Sequence, residues 1–411
     1  MFMMKLDELE KELGSKLIMN DNVIDHYSKS PYLVSPILSK MGKRVLGVVI
    51  VEDRYDVEFV VKFCDIHRIP LLARGAGTST IGQVLPIHPS IVLDIQKLNK
   101  TMEYDEKYLK ISPGVKVLDA LNYLRKRGKE LQVYPSSFYI STLGGYIAGG
   151  DVGIGSYQYG YHFHNGGIRR VKIVGPTGTF ELTGENTLAV AQAAGTTGII
   201  IGADIATVDY EDWKDQIIRF DELGKLVKFL KDAENERDKI RRITIEDQEA
   251  LSLVAKNRVA PGKWNVIVAS TKSFGEEVDM KFLDELAFAA IYVTMSRLTN
   301  FSDYFYEVRL LSLNSFLKVV SQVKDALGSN VLIHGDVMTL RGETVIYTVF
   351  ISDRLNFDII DSIMTKEGIP FEIHSLVVND RVDEEYRLEL MKKYKRIVDP
   401  HDILNPGKLR V

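Results

Sequence analysis

Residues 73–82 read Ala-Arg-Gly-Ala-Gly-Thr-Ser-Thr-Ile-Gly, and this glycine-rich turn follows the apolar run Ile69–Ala73, which has the pattern of a buried strand. After a strand, a turn of this composition can direct several backbone N–H groups at one anion, as a phosphate-binding loop does. The turn is not the dinucleotide fingerprint, because Thr80 stands where a third glycine is needed. It is not a Walker loop either, because no Gly-Lys-Ser/Thr follows. Taken alone, it is equally consistent with an ordinary tight β-turn.

Strand and helix patterns alternate on both sides of this turn. Strands are predicted at Val45–Glu52, Ile69–Ala73, Ile91–Ile95 and Leu109–Ser112, and helices at Tyr55–His67 and Val117–Arg127. The strand that ends at Ser112 is followed by Pro-Gly, which is a turn signal. This order predicts an α/β or α+β domain built from small units.

Two long stretches lack charge. Between Leu131 and Ile168, Asp151 is the only Asp, Glu, Lys or Arg, and the same stretch holds nine glycines. A second uncharged run covers 186–203. Both are rich in Gly, Ser, Thr, Asn and Gln, which argues against a lipid-facing helix of the same length. Because glycine lets backbone approach a ligand closely, they predict a buried surface that faces a large ligand.

The composition limits the class of protein. The 411 residues suggest two or three domains, and 52 Lys and Arg against 56 Asp and Glu give a net charge of −4, unlike the basic excess of a nucleic-acid binder. The single cysteine, Cys64, excludes an internal disulfide, a multi-cysteine zinc site and an iron–sulfur cluster held by this chain alone. Met1–Leu13 lacks the apolar core of a secretory signal, so a reducing cytoplasmic setting is expected.

A change in composition near residue 209 predicts a second domain. Tyr210–Leu251 is charged and is predicted to be helical. Strands follow at Asn265–Ser270, Tyr304–Leu310, Val331–Ile333 and Thr344–Ile351, with helices at Met280–Ser296 and Asn314–Leu327 and a final helix at Glu384–Ile397. This spacing predicts an antiparallel sheet covered by helices.

The glycine-rich turn, the uncharged stretch and the C-terminal ending of the chain occur together in one family. The turn at 74–79, the uncharged glycine-rich stretch and the ending Asp399-Pro400…Leu404-Asn405-Pro406-Gly407-Lys408 resemble the FAD-linked oxidases of the vanillyl-alcohol oxidase type, in the branch with D-lactate and glycolate dehydrogenases. The resemblance implies an α+β fold class: a two-subdomain FAD-binding domain of the p-cresol methylhydroxylase type (PCMH-type) plus an α/β cap domain with an antiparallel sheet. The FAD-binding domain would cover 1–208, completed by 376–411, and the cap or substrate domain 209–375.

The same resemblance implies which residues contact FAD. The implied cofactor-binding residues are Arg74, Gly75, Ala76, Gly77, Thr78 and Ser79 in the pyrophosphate turn, Ser137, Thr142, Gly144 and Gly145 in a second segment, Gly150, Gly153, Ser156 and Tyr159 along the flavin ring, Gly198 and Ile200 near the adenine and ribose, and Asn405 in the tail. FAD carries two phosphates and a long apolar ring system, so it requires N–H donors at one end and a tight uncharged slot at the other.

The FAD is expected to be noncovalent. Members of the family that bond FAD covalently use a His or Cys near the turn or in the third segment, but Ala76 stands at the turn and Cys64 lies in the preceding helix. His162 and His164 lie beyond the usual attachment position. The chain also departs from the family at Ala193, where a carboxylate is frequent.

Oxidation of a hydroxy acid requires a base for the hydroxyl proton, which favours histidine, and a cation for the carboxylate, which favours arginine. Glu372-Ile373-His374 resembles the family's Glu-His-Gly segment, so His374 is the first choice for the base and His334 the second. Arg309 and Arg341 are weaker candidates for the carboxylate anchor. The two histidines are equally compatible with a structural role, and arginines such as these are more commonly solvated or salt-bridged.

No metal is predicted. His334-Gly335-Asp336 resembles the start of the dehydrogenases' metal motif, but Val337 and Met338 replace the next two residues and the second histidine is missing. A stable divalent site needs three or more protein ligands.

The favoured function is an FAD-dependent 2-hydroxy-acid dehydrogenase that transfers a hydride from a small D-lactate- or glycolate-type substrate to flavin N5. Electrons would pass to a quinone or to a protein partner, such as an iron–sulfur subunit, and the protein would be cytoplasmic or peripheral to the membrane through that partner. Two alternatives stay open: a related alcohol, sugar or lactone oxidase that uses oxygen, and a flavin-carrying subunit with little activity alone. A nicotinamide enzyme is disfavoured because Thr80 replaces the third glycine.

Overall fold

The computed structural model describes residues 2–32, 34–255, 258–278, 292, 294–298, 303–369, 374–382 and 384–411. Their helices are α1 (Phe2–Leu13), α2 (Asp21–Tyr27), α3 (Pro36–Ser39), α4 (Arg54–His67), α5 (Val117–Arg125), α6 (Leu143–Gly149), α7 (Ser156–Tyr159), α8 (Leu223–Ala233), α9 (Gln248–Ala255), α10 (Thr294–Arg297), α11 (Leu313–Leu327), α12 (Phe357–Lys366) and α13 (Glu385–Val398). None of these helices is long and apolar enough to cross a bilayer.

The first sheet holds the glycine-rich turn. Its strands are β1 (Leu17–Ile18), β2 (Gly47–Ile50), β3 (Leu71–Arg74) and β4 (Ile91–Asp94), in the order β1-β2-β4-β3. Both β2 and β3 run parallel to β4, and α4 makes the crossover between them. The Asp53 side chain caps α4 by accepting from the Asp56 N–H, and Arg68 ends the helix in the left-handed conformation. The turn therefore leaves the carboxyl end of a buried parallel strand.

The second sheet is antiparallel and packs beside the first. Its strands are β5 (Met102–Asp105), β6 (Tyr108–Ile111), β7 (Lys129–Leu131), β8 (Ile168–Gly175), β9 (Gly178–Thr183) and β10 (Ile199–Asp209). The order is β5-β6-β10-β8-β9, and β7 pairs with the end of β10. The long glycine-rich stretch lies between β7 and β8, where α6 and α7 are its only helices within the described residues. Ile199 and Val174 also join the core of the first sheet, so the two sheets share apolar contacts.

The third sheet is formed entirely between residues 214 and 353. Its strands are β11 (Lys214–Phe220), β12 (Ile240–Asp247), β13 (Trp264–Ser270), β14 (Glu276–Glu277), β15 (Tyr304–Ser312), β16 (Val331–Leu340) and β17 (Glu343–Asp353), in the antiparallel order β14-β11-β13-β12-β16-β17-β15. One face packs on α8, α11 and α12. The other turns towards the first two sheets, and Met338 and Leu340 enter the core of the second sheet.

The prediction of a helical segment over Tyr210–Leu251 is wrong in part. The segment contains α8, but it begins with β11 and ends with β12 followed by the start of α9. In β12 the isoleucines Ile243 and Ile245 face the helices, whereas polar residues alternate with them on the other face. Thr244 and Glu246 on that second face are buried, so charge density alone did not indicate a solvated helix. Most of the helix predicted at Met280–Ser296 lies outside the described residues.

The C-terminal residues return to the first sheet. After α13, Leu404 forms a parallel bridge with Leu71 of β3, with the Leu71 N–H donating to Ile403 O at 2.8 Å and the Asn405 N–H donating to Leu71 O at 2.8 Å. Lys408 is fully buried, and its Nζ donates to the carbonyl oxygens of Gly82, Gln83 and Leu85 at 3.0, 2.6 and 2.6 Å. The tail therefore holds both the strand before the turn and the chain just after it.

Candidate functional site

A cavity of about 210 Å³ lies where the three sheets meet. One side is lined by 75–81, 135–137, 141–142, 144–146, 148–152, 194–195 and 198–200, and the other includes His334, Asp336, Tyr347 and Val349 of the third sheet. Segments that are far apart in sequence and rich in glycine thus form one wall. Side chains from β16 and β17 form the wall opposite.

The turn after β3 presents its backbone to the cavity. Gly77 has φ +71°, a conformation that suits glycine, and Gly75 to Ser79 all line the cavity. Arg74 does not line it. Its guanidinium carbon lies 4.6 Å from the centre of the Tyr27 ring, and Nη1 donates to Lys29 O at 3.1 Å. Arg74 therefore supports the turn from behind.

The second segment is fixed by hydroxyl groups. Thr142 caps α6 by accepting from the Gly145 N–H at 3.3 Å, and Thr78 Oγ1 lies 2.8 Å from Ser141 Oγ. A Cβ on Gly75 would lie 2.2 Å from Thr142 Oγ1, so the turn and the start of α6 are in contact. Ser137, Thr142, Gly144 and Gly145 all line the cavity.

The third segment is only partly in the lining. Gly150 lines the main cavity, whereas Gly153 lines a smaller one of about 20 Å³ beside it. Ser156 is fully buried, and its Oγ accepts from the Gly153 N–H at 3.0 Å, so its side chain shapes this segment. Tyr159 does not line either cavity, and its carbonyl accepts from Asn165 Nδ2 at 2.9 Å.

Asp151, the one charge in this stretch, is held by the C-terminal region. Arg381 Nη2 lies 3.0 and 2.9 Å from the two carboxylate oxygens of Asp151, which lines the cavity. Gln192 Nε2 also donates to Asp151 Oδ1, at 2.8 Å. The two contacts fix the cavity wall between Gly150 and Val152.

The fourth implied FAD segment, which contains Gly198 and Ile200, and the C-terminal tail differ in their position relative to the cavity. Gly198 and Ile200 line the cavity, as the resemblance implies. Asn405 does not. Its Nδ2 donates to Gln83 O at 3.2 Å and to Ala194 O at 2.7 Å, and both of those residues line the cavity. Asn405 is therefore placed to fix two wall segments from behind.

Gln83 leaves a hydrogen-bond acceptor at the wall. Its Nε2 donates to Gly149 O at 2.9 Å, which fixes the orientation of the amide, and within the described residues its buried Oε1 has no partner. A ligand with N–H donors would satisfy this oxygen. FAD has such donors, and the glycine-rich wall offers the close backbone approach that its phosphates and ring require, so the residues present fit this cofactor.

The third sheet places a charged cluster opposite this wall. His334 is buried, with Nδ1 2.7 Å from Glu246 Oε1 and Nε2 3.3 Å from Asp336 Oδ2. Thr244 Oγ1 donates to Asp336 Oδ1 at 2.6 Å. Burial alone would lower the pKa of His334, but the charges of Glu246 and Asp336 outweigh burial and raise the pKa to about 10. The same imidazolium holds the pKa of Asp336 below its usual value in spite of burial.

His374 lies elsewhere. It does not line the cavity, its Nε2 is 2.9 Å from Ser35 Oγ, and its ring packs 4.3 Å from that of Tyr306. Burial lowers the pKa of His374 to about 4, so the ring is neutral near pH 7. Glu372, its predicted neighbour, lies outside the described residues.

The two arginines proposed as carboxylate anchors do not line the cavity either. Arg309 lies on the face of β15 that is covered by helices, because it pairs with Glu307 of its own strand at 3.0 Å and with Asp361 of α12 at 2.9 Å. Arg341 lies in the turn between β16 and β17, with a side chain 58% exposed and Nη2 3.7 Å from Glu384. Within the described residues, no Lys or Arg lines the cavity.

Sequence reasoning missed Glu246, Gln83, Arg381 and the part played by Lys408. Glu246 was detectable in principle, because Ile243-Thr244-Ile245-Glu246 alternates as a strand does. Gln83 and Arg381 carry no local signal, because their partners are distant in sequence. Lys408 belongs to the C-terminal motif, but the motif does not indicate which carbonyls it binds.

Comparison with known proteins agrees with this geometry. Residues 45–184 match the family model described as "FAD binding domain". The glycolate oxidase subunit GlcD of Bacillus subtilis is 33% identical over 107 residues, which are 26% of this chain and 23% of that protein. A D-lactate dehydrogenase of Anaerostipes hadrus is 26% identical over 151 residues, 36% of this chain and 31% of that protein. The alignments therefore span less than a third of each of these relatives.

Solved structures resemble nearly the whole chain. An alkyldihydroxyacetonephosphate synthase has a TM-score of 0.75 at 18% identity, covering 98% of this chain and 84% of that one. A p-cresol methylhydroxylase with substrate bound has a TM-score of 0.74 at 15% identity, covering 99% and 96%. At these identities the likeness shows the fold.

The fold is thus the one that these solved structures share, the fold of PCMH-type FAD-binding proteins, and the predicted fold class is confirmed. This chain carries the FAD binding domain in residues 45–184, and FAD, the predicted cofactor, is confirmed. How the chain is divided beyond that segment, and which residues contact FAD, stay predictions.

Proposed function

We propose that the protein is an FAD-dependent oxidoreductase that oxidises a small 2-hydroxy acid, of the size of lactate or glycolate, at its hydroxyl-bearing carbon. The observation that carries the proposal is the position of His334 and Asp336, which bring charged groups to the wall opposite the glycine-rich segments. Hydroxy-acid chemistry needs both a proton acceptor and a cation beside the flavin. The relatives named for glycolate and D-lactate support this choice of substrate class.

In this proposal FAD, His334 and Asp336 have different roles in the reaction. When bound, FAD supplies the acceptor for the two electrons that leave the substrate. The two ring nitrogens of His334 both face carboxylate oxygens, so the ring holds two protons and is not the base. Asp336 is ionised and lines the cavity, and it accepts the hydroxyl proton.

Asp336→Asn is expected to slow anaerobic flavin reduction by a hydroxy acid about 10²- to 10⁴-fold, the usual contribution of a general base. FAD should stay bound, because Asp336 lies on the wall opposite the glycine-rich segments. Stopped-flow absorbance at the flavin band measures the rate. His374→Gln is the comparison, and its rate should stay close to that of the wild type because His374 does not line the cavity.

If His374→Gln is slow and Asp336→Asn keeps the wild-type rate, His374 is the base, as the sequence favours. A panel of 2-hydroxy acids that leaves the wild-type flavin oxidised, while simple alcohols bleach it, would replace this proposal with an alcohol oxidase. Bleaching by no substrate would favour a flavin-carrying subunit.

The FAD is proposed to be noncovalent. Ala76 at the turn has no group that could bond to the flavin, and the buried His162 is committed through Nε2 to Ile147 O at 3.2 Å. Acid precipitation of the purified protein should therefore leave yellow FAD in the supernatant. Colour retained in the pellet would contradict this.

The electron acceptor is proposed to be a quinone or a protein partner. Mixing reduced enzyme with air-saturated buffer or with a soluble quinone separates this from an oxygen-using oxidase. The proposal predicts faster reoxidation by the quinone, and faster reoxidation in air would overturn it.

A further inference from the structure

The cavity has few charged groups, and they differ in sign and in whether a neighbouring residue compensates their charge. Within the described residues the charged side chains of the lining are Asp151, His334 and Asp336. Asp151 is neutralised by Arg381, which contacts both of its oxygens at 3.0 and 2.9 Å. The imidazole of His334 is thus the one group in this lining that can present a positive charge to a ligand.

The contacts of His334 define its protonation. Carboxylate oxygens accept hydrogen bonds and do not donate them, and His334 has one on each ring nitrogen. A neutral imidazole carries one N–H and would leave one of these contacts repulsive. Two N–H groups satisfy both, so the geometry describes an imidazolium.

The two contacts differ in strength. The Nδ1···Glu246 distance of 2.7 Å is that of a charge-assisted hydrogen bond, whereas the Nε2···Asp336 distance of 3.3 Å is long. Asp336 has a better partner in Thr244, whose hydroxyl lies 2.6 Å from its other oxygen. The Nε2–H can therefore turn to a ligand in the cavity without leaving Asp336 unpaired.

Glu246 has no other task visible in the structure. It is fully buried, its Oε1 receives the hydrogen bond from His334, and its Oε2 has no partner within the described residues. An ionised carboxylate in such a place is costly unless it faces a positive charge. His334 supplies that charge.

We propose that Glu246 holds His334 as an imidazolium, and that His334 Nε2–H binds the carboxylate of an anionic substrate in this cavity. Glu246 is a positioning residue in this scheme, because it acts through His334. The inference rests on the proposed function for the reaction, and it narrows the substrate class to acids. Arg309 and Arg341, the anchors expected from the sequence, do not reach this lining.

The surroundings of His334 favour a charge that persists over a wide pH range. Glu246 and Thr244 face it from β12, Asp336 from its own strand, and Tyr347 and Val349 from β17. Ser136, Val152 and Arg242 share the small adjoining cavity with it. The raised pKa of about 10 agrees: the proton present at pH 6 is still held at pH 9 and is lost only as the pH passes 10.

Oxalate is a suitable probe, because it carries carboxylates and has no hydroxyl-bearing carbon to oxidise. Its binding to the oxidised holoenzyme can be followed by the shift it produces in the flavin spectrum. Wild-type affinity should be nearly constant from pH 6 to 9. His334→Asn should weaken it about 10- to 100-fold, the range for a hydrogen bond to a charged group.

Glu246→Gln gives the sharper result. The amide oxygen can still accept from His334 Nδ1, so the geometry is kept while the charge is removed. Oxalate affinity should then become pH-dependent, close to the wild type at pH 6 and at least about tenfold weaker at pH 9. Glu307→Gln is the matched control, because Glu307 is a largely buried acid that pairs with Arg309 on the other face of the sheet. Its oxalate profile should be flat.

A second measurement needs neither substrate nor variant. The ¹⁵N shifts of His334 in the holoenzyme should report two protonated ring nitrogens from pH 6 to 9. A neutral ring at pH 8, or oxalate affinity unchanged in His334→Asn and in Glu246→Gln, would overturn the inference.

If oxalate binding depends on His334 but no hydroxy acid bleaches the flavin, the anion site stands and the proposed reaction fails. If hydroxy acids bleach the flavin but both variants bind oxalate with wild-type affinity, the proposed reaction stands and the proposed anion site is wrong.

Discussion

Gly77→Val is expected to abolish FAD binding. Gly77 has φ +71°, which a β-branched residue adopts only with strain. A Cβ there would also lie 2.7 Å from both Nε and Nη2 of Arg74. That guanidinium cannot yield easily, because it stacks on Tyr27 and donates to the carbonyls of Tyr27 and Lys29. The collision lies beneath the turn, so the substitution would displace the backbone that lines the cavity.

Gly128→Val is the matched control. Gly128 has φ +68°, nearly the same backbone conformation, but a Cβ there meets nothing within 4 Å and the residue is remote from the cavity. Both variants are purified and titrated with FAD, and bound flavin is read by absorbance. Gly128→Val should bind FAD as the wild type does, with some loss of thermal stability. A Gly77→Val protein that takes up stoichiometric FAD would show that the turn does not form the pyrophosphate site.

Lys408→Met is expected to weaken the retention of FAD, and this is the second largest effect that we predict. Methionine fills a similar volume, but it removes the ammonium that donates to the carbonyls of Gly82, Gln83 and Leu85. Gly82 O keeps the Leu85 N–H and Gln83 O keeps Asn405 Nδ2, whereas within the described residues Leu85 O has no other donor. An unsatisfied buried carbonyl costs about 1–3 kcal/mol, so the chain after the turn should lose about that much support. Gln83 and Val84, which line the cavity, are in that chain.

The dissociation rate of FAD measures this effect, with thermal unfolding as the companion measurement. Lys225→Met, which changes a side chain of α8 that is 62% exposed, should leave both unchanged. Deletion of 399–411 removes Lys408, Asn405 and the Leu404 bridge together, and it should release FAD at least as fast as Lys408→Met. Unchanged FAD release from the truncated protein would show that the tail has no part in holding the cofactor.

The local parts of the site were predictable from sequence. The turn at 75–79 follows a strand and needs glycine for its own backbone, so a short stretch carries the whole signal. The side on which Arg74 lies was not predictable, because its partner Tyr27 is far away in sequence. Arg309 shows the same limit: alternation says that neighbouring residues of β15 face opposite ways, but not which face the helices cover.

The charged cluster was harder to predict for another reason. β12 carries enough charge to read as a solvated helix, and only its pairing with β16 places Glu246 beside His334. A histidine near a motif invites assignment as a base, yet its two carboxylate neighbours, one of them on another strand, make His334 a cation. Protonation state depends on tertiary contacts, and local sequence does not report them.

The pairing of Leu404 with Leu71 also bears on how the chain folds. The two residues are 404 − 71 = 333 positions apart, so this contact closes a very long loop. The entropy lost in closing such a loop must be overcome before the contact adds stability. A ligand that binds only the closed form stabilises it by mass action, by about 2.7 kcal/mol at a concentration one hundred times its Kd. Bound FAD would therefore raise the stability of the folded chain as the free FAD concentration rises above its Kd.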